Sequence, residues 1–122
     1  MSANAMLILA LATCAACAAL DSTTSINRCV PGSTCTIKGM IVTSEQVGSI
    51  RDETGCISVA LPKFVNDSWD HRNVRASGHV YRIPDYPGLT TYKLRDRTID
   101  VEACFSGLAM YVDEIHLEEK NK

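Results

Sequence analysis

Residues 47–62 constrain the fold most strongly, because they have the pattern of a β-hairpin. Residues 52–55 (Asp-Glu-Thr-Gly) are a turn signal, and Gly55 can adopt the positive φ angle that tight hairpin turns require. After the turn, apolar side chains occupy every second position, which is the period of a strand with one buried face: Ile57, Val59 and Leu61. Pro62 then ends the strand, because proline has no amide hydrogen to donate.

Other segments show the same alternation and predict further strands, at residues 36–43, 73–81, 90–94, 98–105 and 108–117. A slip in the alternation near Asp113 and Glu114 predicts a β-bulge in the last of these strands. Gly39 and Gly78 lie in the middle of their strands, where a glycine marks a bend or a close approach of another backbone. Residues 63–72 lack alternation, and their apolar spacing predicts one or two turns of helix.

Length and charge limit the classes of protein to which the chain can belong. Its 122 residues suit one domain with a modest core. With 12 basic and 14 acidic residues, the formal net charge is −2, which gives no reason to expect a polyanionic partner.

The N-terminal residues have the composition of a secretory leader. Residues 5–20 carry no charged side chain, yet this run is shorter than the roughly 20 residues that a membrane-spanning helix needs. Two stretches, Leu11-Ala12-Thr13-Cys14 and Cys14-Ala15-Ala16-Cys17, resemble the cleavage region of bacterial lipoprotein signals. That resemblance implies that Cys17 or Cys14 is lipidated; ordinary cleavage after Ala19 and a buried N-terminal helix are the alternatives.

The sequence predicts four parts along the chain. Residues 1–19 are predicted to be the signal or lipoprotein leader, residues 20–28 a flexible tether, residues 29–118 a single β-barrel domain, and residues 119–122 a charged tail.

Four cysteines follow the leader, at Cys29, Cys35, Cys56 and Cys104. An even set in a small domain behind a leader predicts two disulfides and an oxidising compartment. The strand alternation points both Cys56 and Cys104 away from the core, and Cys29 and Cys35 flank a tight Pro-Gly turn. The pattern therefore favours Cys29–Cys35 and Cys56–Cys104 over the other two pairings.

The order of these elements resembles the oligonucleotide/oligosaccharide-binding fold, or OB-fold, over residues 36–117. The segments that carry the resemblance are residues 38–42 (Lys-Gly-Met-Ile-Val), 50–59 around the hairpin turn, and 76–80 (Ala-Ser-Gly-His-Val). It implies a mainly all-β chain: a small closed or partly open barrel of five to seven strands with one short helix. The middle glycines would let long strands bend around the barrel. A β-sandwich is the alternative.

Motifs for catalysis or metal binding are missing from the sequence after the leader. The cysteines there form no Cys-x-x-Cys, His71, His79 and His116 do not have the spacing of ligands, and no serine lies in Gly-x-Ser-x-Gly. The sequence therefore predicts a protein that is not an enzyme and that uses no metal or cofactor.

The predicted binding surface combines the outward face of the strand at residues 73–81 with the loop at residues 83–90. Its arginine and aromatic side chains are Arg75, His79, Tyr81, Arg82 and Tyr86. We therefore expect an exported bacterial envelope protein, in the periplasm and held at the membrane by an N-terminal lipid, or secreted if the lipid signal is absent. It would act as a non-enzymatic binding module for an unidentified protein or small molecule. The alternative is an OB-fold protein that binds oligonucleotides or saccharides, although the acidic balance and the export disfavour nucleic acid.

Overall fold

The computed structural model of the protein describes residues 22–118. The predicted leader with Cys14 and Cys17, and the predicted tail at residues 119–122, lie outside this range. Within it the chain forms seven strands: β1 (Thr34–Ser44), β2 (Val47–Asp52), β3 (Gly55–Ala60), β4 (Asn73–Arg82), β5 (Thr91–Leu94), β6 (Arg97–Asp100) and β7 (Leu108–Leu117). Three short 3-10 turns accompany them, at Ile26–Arg28, Asp67–Trp69 and Val101–Ala103.

Five of the strands close into a barrel in the order β1-β2-β3-β7-β4, with β4 returning to β1. Neighbouring barrel strands are antiparallel except β3 and β7, which run parallel. The predicted small OB-like barrel is thus confirmed, and the alternative sandwich is wrong because the sheet closes on itself. Strands β5 and β6 form a separate two-stranded sheet.

The barrel interior is filled by the apolar face that the alternation predicted. Its largest fully buried side chains are β-branched residues and a methionine from all five strands, among them Ile37, Ile41, Ile50, Ile57, Val59, Val74, Val80, Met110 and Val112. The predicted bulge is present, because Ser77 pairs with Glu114 while Gly78 pairs with Val112, which leaves Asp113 as the extra residue. A Cβ atom on Gly78 would lie 1.9 Å from the Tyr111 carbonyl oxygen, so the tight bend requires glycine there.

Both predicted disulfides are present. Cys29–Cys35 closes a short loop that leads into β1, of which Cys35 is the second residue. Cys56–Cys104 joins the start of β3 to the segment that precedes β7, across 48 residues of sequence.

Of the one or two helical turns predicted for residues 63–72, the structure contains one, the 3-10 turn Asp67–Trp69. The Gln46 side-chain amide donates to the carbonyl oxygens of Lys63 at 2.9 Å and Val65 at 2.7 Å. A helix over this segment would use these two carbonyl oxygens as acceptors for its own amides. The Pro62 carbonyl oxygen accepts from the Val65 amide at 3.1 Å.

The strand predicted at residues 98–105 ends early, at Asp100. The Asp100 carboxylate accepts a hydrogen bond from the amide of Glu102 and thereby caps the turn Val101–Ala103. Phe105, which the alternation placed on the same face as buried Ile99, is 82% exposed.

The flexible tether predicted at residues 20–28 is wrong for its second half. The Ile26 side chain is buried within the barrel core. The amide of Ile26 donates to the Asp52 carboxylate at 2.9 Å, and the amide of Thr24 donates to the Thr36 carbonyl oxygen at 2.7 Å. Burial of Ile26 and these hydrogen bonds hold the segment against the barrel before Cys29 is reached.

Candidate functional site: a covered strand face and an open cleft

Residues 83–107 form a long insertion between β4 and β7, and its hairpin packs on the outside of the barrel. Three apolar side chains of the insertion, Ile83, Leu94 and Ile99, are buried in a second cluster, separate from the barrel core. The barrel contributes its outward residues to this cluster: Ala60, Ala109 and Tyr111. Strands β3 and β7 are therefore covered on both sides.

The outer face of β2 and β3 lies under this insertion. Ser49 and Ser58 point outward from adjacent strands and are paired in register, yet they are only 1% and 0% exposed. The Ser58 hydroxyl donates to the Asp100 carbonyl oxygen at 3.1 Å, and the Arg51 guanidinium donates to the Ala103 carbonyl oxygen at 3.1 Å. OB-fold proteins bind oligonucleotides and saccharides on this face. Here a part of the same chain occupies it.

Tyr111 holds the tip of the inserted hairpin. Its hydroxyl donates to the Asp96 carboxylate at 2.6 Å, and the guanidinium carbons of Arg95 and Arg97 lie 4.3 and 4.0 Å from the centre of its ring. The hydrogen bond raises the pKa of Tyr111 and lowers the pKa of Asp96 relative to their usual values. The carboxylate therefore stays ionised at neutral pH and keeps its place between two arginines.

Arg97 bridges the two parallel strands β3 and β7 at the point where their backbone pairing ends, which we call the seam. The pairing of β3 with β7 ends at Ala60 and Tyr111, and beyond it the two backbones separate. The Arg97 guanidinium donates there to the carbonyl oxygens of Ala60 at 2.9 Å and Val112 at 2.7 Å. One side chain thus satisfies acceptors on both strands where their ladder stops.

Beside this tip lies an open cleft with a volume of about 550 Å³. Its walls come from the β1–β2 turn, the segment after β3 and the β5–β6 turn: Glu45, Gln46, Val47, Leu61, Pro62, Lys63, Asp96, Arg97 and Thr98. The φ angles of Glu45 and Gln46 are 54° and 72°. Non-glycine residues rarely adopt this conformation, and here the Gln46 side-chain bonds and a hydrogen bond from the Glu45 amide to the Asp67 carboxylate hold it.

The cleft offers charges of both signs above an apolar floor of Val47, Leu61 and Pro62. Asp96 and Arg97 are committed to Tyr111 and to the seam. Within residues 22–118, the Glu45 carboxylate and the Lys63 ammonium have no side-chain partner, and both residues are exposed. These two groups are therefore available to a bound molecule.

The predicted binding residues form a row along β4 and the loop after it. His79 and Tyr81 come together, with ring centres 6.2 Å apart, and Tyr81 also packs against the second apolar cluster. Arg75 lies four residues earlier, roughly 13 Å along the strand, and its guanidinium is 3.4 Å from Glu118. Arg82 is exposed at the strand end, and Tyr86 is 67% exposed in the loop.

Neither metal ligands nor a membrane-crossing helix occur in the part of the chain that the structure describes. No three side chains among the histidines, cysteines, aspartates and glutamates of residues 22–118 are grouped as metal ligands would be. In the same residues, none of the helical segments has the length and apolarity that crossing a bilayer would take.

Comparisons with protein families, with curated proteins and with solved structures found no match to this chain.

Proposed function

We propose that this chain is an exported bacterial envelope protein, lipid-anchored at its N-terminus, whose barrel is a non-enzymatic binding module. The observation that carries the binding role is the combination of a covered strand face with an open cleft. The two disulfides support the export, because they are typical of proteins that fold in oxidising compartments. The lipid anchor rests on the resemblance of residues 11–17 to lipoprotein signals.

The cleft is our proposed binding site in place of the β4 row. Glu45 and Lys63 would contact a ligand that carries charges of both signs, such as the termini of a short peptide. The side chains of Lys63 and Thr98, the possible nucleophiles of the cleft lining, have no hydrogen bond or ion pair with a base among the described residues. This favours binding over catalysis at the cleft.

No observation favours the alternative of oligonucleotide or saccharide binding on the strand face. Its outward residues Ser49, Ser58 and Ala60 are buried under the insertion. Such a ligand would have to displace the insertion first.

Metabolic labelling with radioactive palmitate tests the anchor. We expect label on the wild-type protein and its loss in either Cys17→Ala or Cys14→Ala, with that variant moving from the membrane to the soluble fraction. The other cysteine variant is the matched control, since it should keep the label. A wild-type protein that takes up no label contradicts the anchor.

An NMR titration with the dipeptide alanylalanine tests the cleft. We expect amide shifts to cluster at Gln46, Lys63 and Thr98, and to disappear in a variant that carries both Glu45→Gln and Lys63→Gln. Lys93→Gln on β5 removes an exposed charge outside the cleft and should leave the shifts unchanged. Shifts that cluster around His79 instead would return the site to the β4 row.

A further inference from the structure

The insertion contacts the barrel without joining its ladder of backbone hydrogen bonds. Strands β5 and β6 pair only with each other. Side chains make the connection. Ser58 and Arg51 of the barrel donate to the carbonyl oxygens of Asp100 and Ala103, and the second apolar cluster packs between the two parts. At the hairpin tip, Arg97 donates to carbonyl oxygens of β3 and β7, and the Tyr111 hydroxyl donates to the Asp96 carboxylate. We call residues 83–107 the cover, because they bury the outer face of β2 and β3.

One buried hydroxyl on the covered face makes the closed position of the cover less stable. The Ser49 hydroxyl is buried under the cover and has no hydrogen-bond partner among the described residues. A buried hydroxyl without a partner is unfavourable by roughly 1–3 kcal/mol, a penalty that contact with water would remove. The closed cover therefore keeps water away from two polar side chains, Ser49 and Ser58.

The Cys56–Cys104 disulfide is the covalent link across this boundary. Cys56 lies at the start of β3, and Cys104 lies directly after the turn that follows β6. Without the bond, the only covalent links between the cover and the barrel would be the two chain connections, at β4 and β7. The Cys29–Cys35 bridge joins the segment before β1 to the start of β1, outside the cover, so it provides a matched control.

We propose that Cys56–Cys104 is an exchange site for an exported dithiol reductant, and that its reduction opens the cover. Cys56 is half-buried and is the more exposed cysteine of the pair, whereas Cys104 is 3% exposed. A thiolate of the reductant attacks the Cys56 sulfur, and Cys104 leaves as a thiolate that takes up a proton. The second thiol of the reductant then attacks the mixed disulfide and releases Cys56 as a thiol. In total two electrons and two protons pass to the protein, and the reductant becomes a disulfide.

Opening would also change the binding site proposed above, on which this consequence rests. Asp96, Arg97 and Thr98 belong to the cover and form one wall of the cleft. Reduction would therefore remove that wall and expose Ser49 and Ser58 together.

Hydrogen–deuterium exchange of the full chain tests the proposal. The samples are the oxidised protein, the protein reduced with dithiothreitol, a variant with Cys56→Ser and Cys104→Ser, and the control with Cys29→Ser and Cys35→Ser. We expect peptides from residues 91–100 and 47–60 to exchange about ten-fold faster or more in the reduced protein and the first variant, while β1 and β4 keep their protection. The control variant should match the oxidised protein over residues 91–100.

Three results would overturn the proposal. Unchanged exchange over residues 91–100 would mean that the apolar cluster holds the cover without the bond. A uniform rise across all barrel strands would make the bond a staple of the whole fold, and an equal effect in the control would remove the link to Cys56–Cys104. The readout needs no ligand, so a failed dipeptide titration would contradict the proposed binding function and leave the exchange result standing.

Discussion

Ser49 and Ser58 have the same side chain and the same burial, but they differ in hydrogen bonding. Ser58 donates to the Asp100 carbonyl oxygen, whereas Ser49 has no partner in the described part of the chain. The free energy of a buried hydroxyl depends on that difference, because an unmet hydrogen bond leaves only the desolvation cost.

We expect Ser49→Ala to raise the free energy of unfolding by about 1 kcal/mol, since it removes an unsatisfied hydroxyl. Ser58→Ala should lower it by about 1 kcal/mol, since it leaves the Asp100 carbonyl oxygen without that donor. Urea denaturation followed by Trp69 fluorescence measures both. Equal effects of the two substitutions would show that the hydrogen bonding differs less than the geometry indicates.

Because of Asp52, we expect the free energy of unfolding to fall with pH in the acid range. Burial raises the pKa of Asp52, but hydrogen bonds from the Thr54 hydroxyl and from the amides of Ile26, Thr54 and Gly55 together outweigh it, so the pKa lies below its usual value. The folded carboxyl therefore stays ionised at a lower pH than the unfolded one. Its stabilising effect is present above the unfolded pKa of about 3.9 and is lost as pH falls through the folded pKa.

Asp52→Asn should lower the free energy of unfolding near neutral pH by about 1 kcal/mol, because a neutral acceptor binds these donors less strongly. The difference between wild type and variant should stay constant down to about pH 5 and shrink below about pH 4. Glu53→Gln, at an exposed neighbour in the same turn, should show no such trend. Denaturation at a series of pH values measures it, and a difference that persists into acid would contradict the role of the carboxylate.

At the scale of elements, the inserted hairpin depends on one arginine more than on the other. Arg95 and Arg97 both lie over the Tyr111 ring, but only Arg97 also donates to carbonyl oxygens on β3 and β7. Two charge-assisted hydrogen bonds at partly buried acceptors contribute more than a ring contact at the surface.

Arg97→Ala should therefore lower the free energy of unfolding by about 2–3 kcal/mol, and Arg95→Ala by less than about 1 kcal/mol. Thermal and urea denaturation of both variants test this. Arg97→Lys should recover part of the loss, because both hydrogen bonds come from one nitrogen, Nη1, while the planar contact with the Tyr111 ring is not restored. Equal losses for Arg95 and Arg97 would mean that the contacts with the ring, and not the closing of the seam, determine stability.

Local patterns predicted the barrel strands because each of them has one face in a single core. The alternation of Ile57 and Val59 indicated which face is buried in that core, and the slip at Asp113 indicated the bulge in β7. The insertion could not be predicted in the same way. Ile99 is buried against outward residues of β3 and β7, and no local pattern shows which distant surface a hairpin will cover. The only sign in the sequence was the small size of Ser58 and Ala60 on the outward face.

The cleft was missed for a related reason. Its three walls, at residues 45–47, 61–63 and 96–98, meet only after the barrel has closed and the cover has packed. The β4 row was predicted instead, because arginine and aromatic side chains alternate within one strand and can be recognised locally. Both disulfides were predicted, although Cys104 lies after the turn Val101–Ala103 and not on the strand whose alternation was used to pair it with Cys56.

At the scale of the whole molecule, the folded domain begins before Cys29, the residue at which the sequence analysis placed its start. Ile26 is 1% exposed and belongs to the barrel core, although it lies in a polar stretch that has no alternation. The amides of Ile26 and Asn27 donate to the Asp52 carboxylate and to the Thr54 hydroxyl oxygen, respectively. These bonds hold the 3-10 turn Ile26–Arg28 against the β2–β3 turn. The N-terminal segment therefore packs at the end of the barrel where β2 turns into β3. A lipid on Cys17 would be attached nine residues before Ile26.

Ile26→Ala should lower the free energy of unfolding by about 2–4 kcal/mol, as expected for a truncated side chain in a closed core. Val30→Ala, four residues later and at a position that is 59% exposed, should change it by less than about 0.5 kcal/mol. Urea denaturation of both variants gives the comparison. If Ile26→Ala cost no more than Val30→Ala, residues 24–28 would be a tether that rests on the barrel. The large loss expected here would instead make them part of the domain, so that any N-terminal tether would end before Thr24 and not at Arg28.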